Sequence, residues 1–284
     1  MALLSSSPSP AIPPGLSFSR RNCSPPPHCR HSYNPISSSS YRFPRLRPTA
    51  AAASSEVCSP HSLDKSTLSI SVADSDDELW AAARLRVRSF YKLNSSSFGI
   101  EDHKKYLAER EYEAMKERID GLRPMFRRVS CLNATLPLSQ FTEFFEDFCD
   151  ECKYTDNGED RVVVGTLDLN QCLRLPDEIT GKRPEGIGAD FARAYLSNVC
   201  VAKELHRNGL GRELISKSKI VAREWGISDM YVHVAVDNEP AKNLYMKSGF
   251  TYENDEPAWQ ARFLDRPRRL LLWFGLSDIQ DWLV

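Results

Sequence analysis

Residues 66–72 alternate polar and apolar side chains, the period-two pattern of a strand with one buried face. Asp74, Ser75, Asp76 and Asp77 follow. They supply capping oxygens and negative charge for a helix carrying Leu79, Ala82, Ala83, Leu85, Val87 and Phe90. Residues 94–99 read as a loop, and 101–119 as a second helix whose dense, alternating charges leave it half exposed. Residues 127–134 predict a strand. Phe141, Phe144, Phe145 and Phe148 recur at helical spacing and predict a packing face. Residues 154–160 predict a solvated turn, the Val-rich 161–169 a strand, and 176–189 a loop. Strands at 195–201 and 230–236 are each followed by a helix, at 212–225 and around 241–245. A final buried strand over 267–275 contains Leu270, Leu271, Leu272, Trp273 and Phe274. This order predicts an α/β fold, a mixed sheet with helices on both faces, and no internal repeat is visible.

The densest chemical signal lies between the strand 195–201 and the helix after it, in His206-Arg207-Asn208-Gly209-Leu210-Gly211. Glycines at a strand-to-helix turn let the backbone approach a phosphate. The first N–H groups of the helix have no intrahelical partner and can point at that anion. A lone Gly-x-Gly is weak, since glycines mark turns everywhere. The downstream context strengthens it. The strand 230–236 ends at Asp237-Asn238-Glu239-Pro240, a short helix carries Ala241-Lys242-Asn243-Leu244-Tyr245, and Gly249-Phe250 closes it.

With these two stretches the chain resembles the GNAT superfamily of acetyltransferases. The family's phosphate-binding signature, Gln/Arg-x-x-Gly-x-Gly/Ala, is met at Gly209 and Gly211 and departed from at His206. The later signature, Asn-x-x-Ala-x-x-Leu-Tyr-x-x-x-Gly-Phe, is met in full by Asn238, Ala241, Leu244, Tyr245, Gly249 and Phe250. Together they cover roughly residues 190–252. The flanks resemble plant plastid members that acetylate lysines and protein N-termini.

The resemblance implies a mostly antiparallel mixed sheet with a splayed parallel strand pair that binds acetyl-CoA. The main chain of Val199, Cys200 and Val201 would pair with the pantetheine arm. The turn Arg207, Asn208, Gly209, Leu210, Gly211 and Arg212 would hold the pyrophosphate. Asn238, with Glu239, Pro240 and Ala241 beside it, would line the same arm. Tyr245 would stand by the sulfur as general acid, a role that a phenol with a reference pKa near 10 can fill at neutral pH. Tyr195 and His233 would form the pair that removes the proton from the amine. Histidine titrates in a suitable range, although a strand histidine between two valines is also an ordinary core residue.

Composition adds a boundary. Residues 1–55 contain six arginines, no lysine and no acidic residue, and are rich in Ser and Pro. Such a segment cannot bury enough apolar surface to fold alone, and its composition is that of an organelle transit peptide. The expectation is a disordered leader over 1–57, a single catalytic domain over 58–284, and residence in the chloroplast stroma. Without the six arginines the chain has 31 basic against 38 acidic residues, a net of −7 by formal count. That balance disfavours general nucleic-acid binding and suits basic acceptors. Nothing is apolar over a length that spans a membrane.

Of eight cysteines, Cys23, Cys29 and Cys58 fall in or beside the leader. Cys131, Cys149, Cys152, Cys172 and Cys200 remain, an odd and irregular set that points to a reducing compartment. Cys149-x-x-Cys152 lacks a second ligand pair for zinc, no metal is expected, and the pair reads as surface cysteines in preference to a redox site. Asn94-Ser95-Ser96 and Asn133-Ala134-Thr135 match glycosylation acceptors but read as loop sequence.

The expected activity is transfer of the acetyl group of acetyl-CoA to protein or peptide amines, at lysine side chains, N-termini or both. Two alternatives stand beside it: acetylation of a small amine such as an arylalkylamine or polyamine, and a non-catalytic CoA-binding module. Loops around 90–100, 176–190 and 253–266 would choose the acceptor. The sequence gives no oligomeric state.

Overall fold

The computed structural model describes residues 64–94, 96–124, 126–141, 146–172 and 192–276. The leader and the loop 176–189 lie outside these residues. A 3-10 turn, Lys65–Thr67, opens the described chain, with the Asp64 carboxylate accepting from the Ser66 N–H at 2.9 Å. This turn occupies the start of the expected first strand, so β1 is confined to Ser69–Val72. Helix α1 (Asp76–Phe90) starts where its cap predicts: Ser75 Oγ accepts from the Glu78 N–H at 3.2 Å, and three acidic residues fill the first turn. Then come α2 (Ile100–Ile119), β2 (Phe126–Pro137), α3 (Glu146–Cys152), β3 (Lys153–Asp156), β4 (Glu159–Cys172), β5 (Arg193–Val201), α4 (Leu210–Glu224), β6 (Asp229–Ala235), α5 (Glu239–Lys247), β7 (Thr251–Asp255), α6 (Ala258–Phe263) and β8 (Arg269–Gly275).

The eight strands form one sheet in the order β1-β2-β4-β5-β6-β8-β7, with β3 paired to β4. All described pairings are antiparallel except β5 with β6. Alternation along β4 shows helices on both faces. Thr166 and Asp168 meet Arg86 of α1, whereas a Cβ added at Gly165 would stand 2.8 Å from Leu214 Cδ1 of α4. α4 buries Leu210, Leu214, Ile215, Ser218, Val221 and Ala222, positions spaced for one helical face. The core continues through Leu132, Leu136, Leu167, Leu196 and Val232 of the sheet.

Three expectations are corrected. Residues 154–160 are not simply a turn. They complete a hairpin, β3 with β4, whose tip is Asn157-Gly158 with φ of 48° and 83°. Asn-Gly with both residues at positive φ matches the twist of flanking strands. Residues 253–266 are not a loop: β7 and α6 occupy most of them. Asn133 is not in a loop. It lies buried in β2, donating to Glu78 Oε1 at 2.9 Å. Of the phenylalanines, Phe141 and Phe148 pack edge-to-face with centroids 6.0 Å apart, as a packing face should, while the side chains of Phe144 and Phe145 lie outside the described residues.

Candidate active site

β5 and β6 run in parallel register from Arg193↔Asp229 to Leu196↔Val232 and no further. Both strands continue. β5 stays paired to β4 as far as Gly165↔Val201, and β6 to β8 as far as Ala235↔Arg269. The sheet therefore parts between them, and a backbone groove opens beyond Leu196 and Val232. At its mouth β5 bulges: Asn198 takes φ of 54°, and the β4–β5 register slips between Thr166 and Asp168.

The groove leads into a cleft where three predicted side chains meet, Tyr195, His233 and Tyr245, together with Asn198, Asn238 and Arg269. Tyr195 is level with Tyr231 across the parallel pair, so His233, two residues on, lies diagonally on the same face. Tyr195 Oη stands 3.1 Å from His233 Nδ1. Burial, then the cationic Arg269, push the His233 pKa down to about 3. The ring is thus neutral at physiological pH, and it shares a hydrogen bond with the Tyr195 hydroxyl through Nδ1. Tyr245 enters from α5, buried, its ring edge-on to Phe250 with centroids 5.8 Å apart. Burial raises its phenol above the usual tyrosine range.

The glycine turn lies at the start of α4. Gly209 caps the helix at φ 82° and Arg207 precedes it at φ 68°. The two glycines differ in purpose. A Cβ at Gly209 would approach Lys65 Nζ at 3.1 Å, in the open turn. One at Gly211 would press on Leu244 Cδ2 at 3.1 Å, so Gly211 also lets α4 and α5 pack. Asn208 braces the turn by donating to the Leu205 carbonyl at 3.2 Å, and Leu210 anchors it in the core. The Arg212 N–H meets the Gly209 carbonyl at 3.0 Å. His206 turns back on β5, its Nε2 3.0 Å from the Val201 carbonyl. Val199 and Cys200 are buried.

Asn238 caps α5, accepting from the Ala241 N–H at 3.2 Å, while still lining the cleft. Pro240 sits in the first turn of the helix, Ala241 is buried, and the Glu239 carboxylate pairs with Lys242.

Two features escaped sequence reasoning. Lys65 reaches the Gly209 turn from before β1, carrying charge no motif encodes. The other is the Glu256 carboxylate, buried just ahead of α6 and gripped by Arg266 and Arg269, the latter at 3.0 Å. These cations lower its pKa to about 2 despite burial. The charge run from Asp255 to Arg269 was the available signal. The Cys149-x-x-Cys152 pair is corrected too. Both thiols are buried, not on the surface, and burial raises both pKa values, that of Cys149 to about 11. Such thiols are poor nucleophiles. Among the described residues no cluster of His, Cys, Asp or Glu could hold a metal, and no helix is long and apolar enough to cross a membrane.

The profile of the acetyltransferase (GNAT) family matches residues 124–250. The chain is 68% identical over 232 residues to GCN5-related N-acetyltransferase 7, chloroplastic, of Arabidopsis thaliana, covering 82% of this chain and 84% of that protein. It belongs to the GNAT family. It is accordingly an acetyl-CoA-dependent N-acetyltransferase with the GNAT sheet. The chloroplast residence expected from its leader agrees with the name of that relative. GCN5-related N-acetyltransferase 6, chloroplastic, of the same plant is 30% identical, covering 62% of this chain and 58% of that protein. Among solved structures, yncA of Salmonella typhimurium with its cofactor acetyl-CoA matches at 18% identity and a TM-score of 0.42, over 74% of this chain and 94% of that one.

Proposed function

We propose that this enzyme acetylates protein amines in the plastid stroma, with N-terminal α-amino groups ahead of lysines. In this reading residues 1–57 are a leader removed on import and 58–284 the working domain. The observation that carries the catalytic reading is the convergence of Tyr195, His233 and Tyr245 on the cleft where β5 and β6 part.

The pyrophosphate lies at the Gly209 turn, with Lys65 as an added cation, and the pantetheine arm runs along Val199–Val201 past Asn238. The acceptor nitrogen attacks the thioester carbonyl carbon, the C–N bond forms, and the C–S bond breaks. Tyr245 gives its proton to the departing sulfur, and the proton that the nitrogen sheds on becoming an amide returns through water to the Tyr245 phenolate. Its raised pKa does not forbid this, because the same interior raises thiols: neighbouring Cys200 stands at about 11. A thiolate formed there is more basic than in water, which keeps donor and acceptor matched.

Deprotonation of the amine decides the acceptor class. A histidine with a pKa of about 3 lies about five units below an α-amine, and each unit is worth about 1.4 kcal/mol. His233 therefore holds Tyr195 in place as a hydrogen-bond acceptor and does not store the proton. The amine must arrive uncharged or lose its proton to water through the Tyr195 hydroxyl. An α-amine, with a pKa near 8, is uncharged at pH 8 about a hundredfold more often than a lysine. The test is mass spectrometry of stromal proteins and of peptides with free N-termini, incubated with the enzyme and acetyl-CoA. Acetylated α-amines support the reading. Acetylation of polyamines alone would replace it with a small-amine enzyme.

A further inference from the structure

Beneath the β5 bulge lies an ionic cluster that the transfer chemistry does not use. Asp168 of β4 is fully buried, and so is Arg86 of α1. Arg86 grips both carboxylate oxygens, Nη2 to Oδ1 at 2.6 Å and Nη1 to Oδ2 at 3.1 Å. Arg118 of α2 reaches Oδ2 at 3.0 Å. The remaining contact leads to the groove: Asn198 Nδ2 donates to Oδ2 at 2.8 Å. Two helices and two strands thus meet on one carboxylate.

The location gives this contact its meaning. Asn198 is the β5 residue in the left-handed conformation, two positions past the last residue paired with β6. Opposite it, Asp168 is where the β4–β5 register slips. A non-glycine residue at positive φ persists only when its surroundings hold it there. Here the hold is a charge-assisted hydrogen bond to a carboxylate that two arginines fix in position. Neighbouring Asn170 reinforces the same stretch, its Nδ2 donating to the Tyr195 carbonyl and to Ser197 Oγ, both at 3.0 Å.

We propose that Asp168 is a positioning residue for acetyl-CoA: through Asn198 it draws β5 toward β4 and keeps the groove beside β6 open. The inference rests on the reading that this groove takes the pantetheine arm. Asp168 touches no substrate and acts only through the bulge.

The experiment uses two variants of Asn198, because Asp168 variants leave Arg86 buried without a counter-ion and can fail to fold. Asn198→Gly keeps the positive φ accessible but removes the side-chain tie. Asn198→Ala removes the tie and disfavours the conformation. Acetyl-CoA Kd by calorimetry, kcat, acceptor KM and Tm are measured for both and for the parent. Both variants should weaken acetyl-CoA binding by about tenfold, with acceptor KM unchanged and a Tm close to the parent's. A glycine variant that binds like the parent beside a weakened alanine variant would overturn the proposal, since φ alone would then hold the bulge. Two unaffected variants would overturn it as well. Failure of the underlying reading shows differently: Gly209→Asp would then bind acetyl-CoA as the parent does, or the parent itself would give no binding signal.

Discussion

On the proposed reading, the cofactor side of the cleft and its acceptor side are built from different materials. Toward the cofactor, the working parts are main chain: parted strands, a bulge, and a helix start capped by Gly209. Toward the acceptor, as proposed, they are side chains: Tyr195, His233 and Arg269, the last holding the buried Glu256. A backbone site tolerates change in almost every side chain except where a Cβ or a charge would intrude. A side-chain site depends on each residue.

The sharpest way to break this comparison is Gly209→Asp. Its Cβ and carboxylate would enter the turn beside Lys65 Nζ and face the diphosphate. Acetyl-CoA binding should fall below detection by calorimetry, while circular dichroism shows the fold retained. Unchanged affinity would move the diphosphate elsewhere.

Tyr245→Phe comes next. The ring keeps its place against Phe250, and only the proton donor is lost. The expected fall in kcat is about 10²–10⁴, with acetyl-CoA Kd little changed. Equal kcat would remove Tyr245 from the acid role. A collapsed Kd with normal kcat would make it a binding residue.

The pH profile probes the acceptor side. Since His233 has a pKa of about 3, it is neutral from pH 5 upward and should add no limb near 6.5. kcat/KM on an α-amino peptide should rise tenfold per unit up to about pH 8, and on a lysine peptide up to about 10. A plateau beginning near 6.5 for either peptide would restore His233 as the base.

The smallest effect belongs to Lys65→Ala. Its ammonium is exposed, so salt screens it. Acetyl-CoA Kd should rise by about threefold to tenfold at low salt and less at high salt. Acetyl-pantetheine, which lacks the diphosphate, should react with parent and variant alike. A loss equal for both substrates would place Lys65 away from the phosphates.

Legibility in the sequence followed the same division. Residues 195–250 were readable in order and in spacing because a backbone site needs glycines, a helix cap and a tyrosine at set intervals. The strands and helices before them followed hydrophobic period, and the Ser75 cap fell where expected. What failed was short or made by distant partners. β7 and α6 hold 5 and 6 residues, too few for periodicity to register. The β3–β4 hairpin carried its own signal, Asn157-Gly158, overlooked among acidic neighbours. The Arg86–Asp168 pair joins residues 82 apart, and no local pattern announces such a contact. Gly165 looks like any strand glycine until Leu214 is packed on it.

The parted strands bear on how firmly the molecule holds together. β5 and β6 share four register positions, whereas β2 and β4 share eleven. The sheet is thus two ribbons joined by a narrow seam, which is where cooperative opening costs least. A ligand lying in the groove adds its own affinity to that seam, about 2.7 kcal/mol at a hundred times Kd. Amides of Ser197–Val201 and His233–Ala235 should exchange with deuterium faster than those of β2 and β4 in the free enzyme, and slow markedly when acetyl-CoA is present. The cofactor would then be a structural brace as well as a reactant, and enzyme in stroma poor in acetyl-CoA would be the first to be proteolysed.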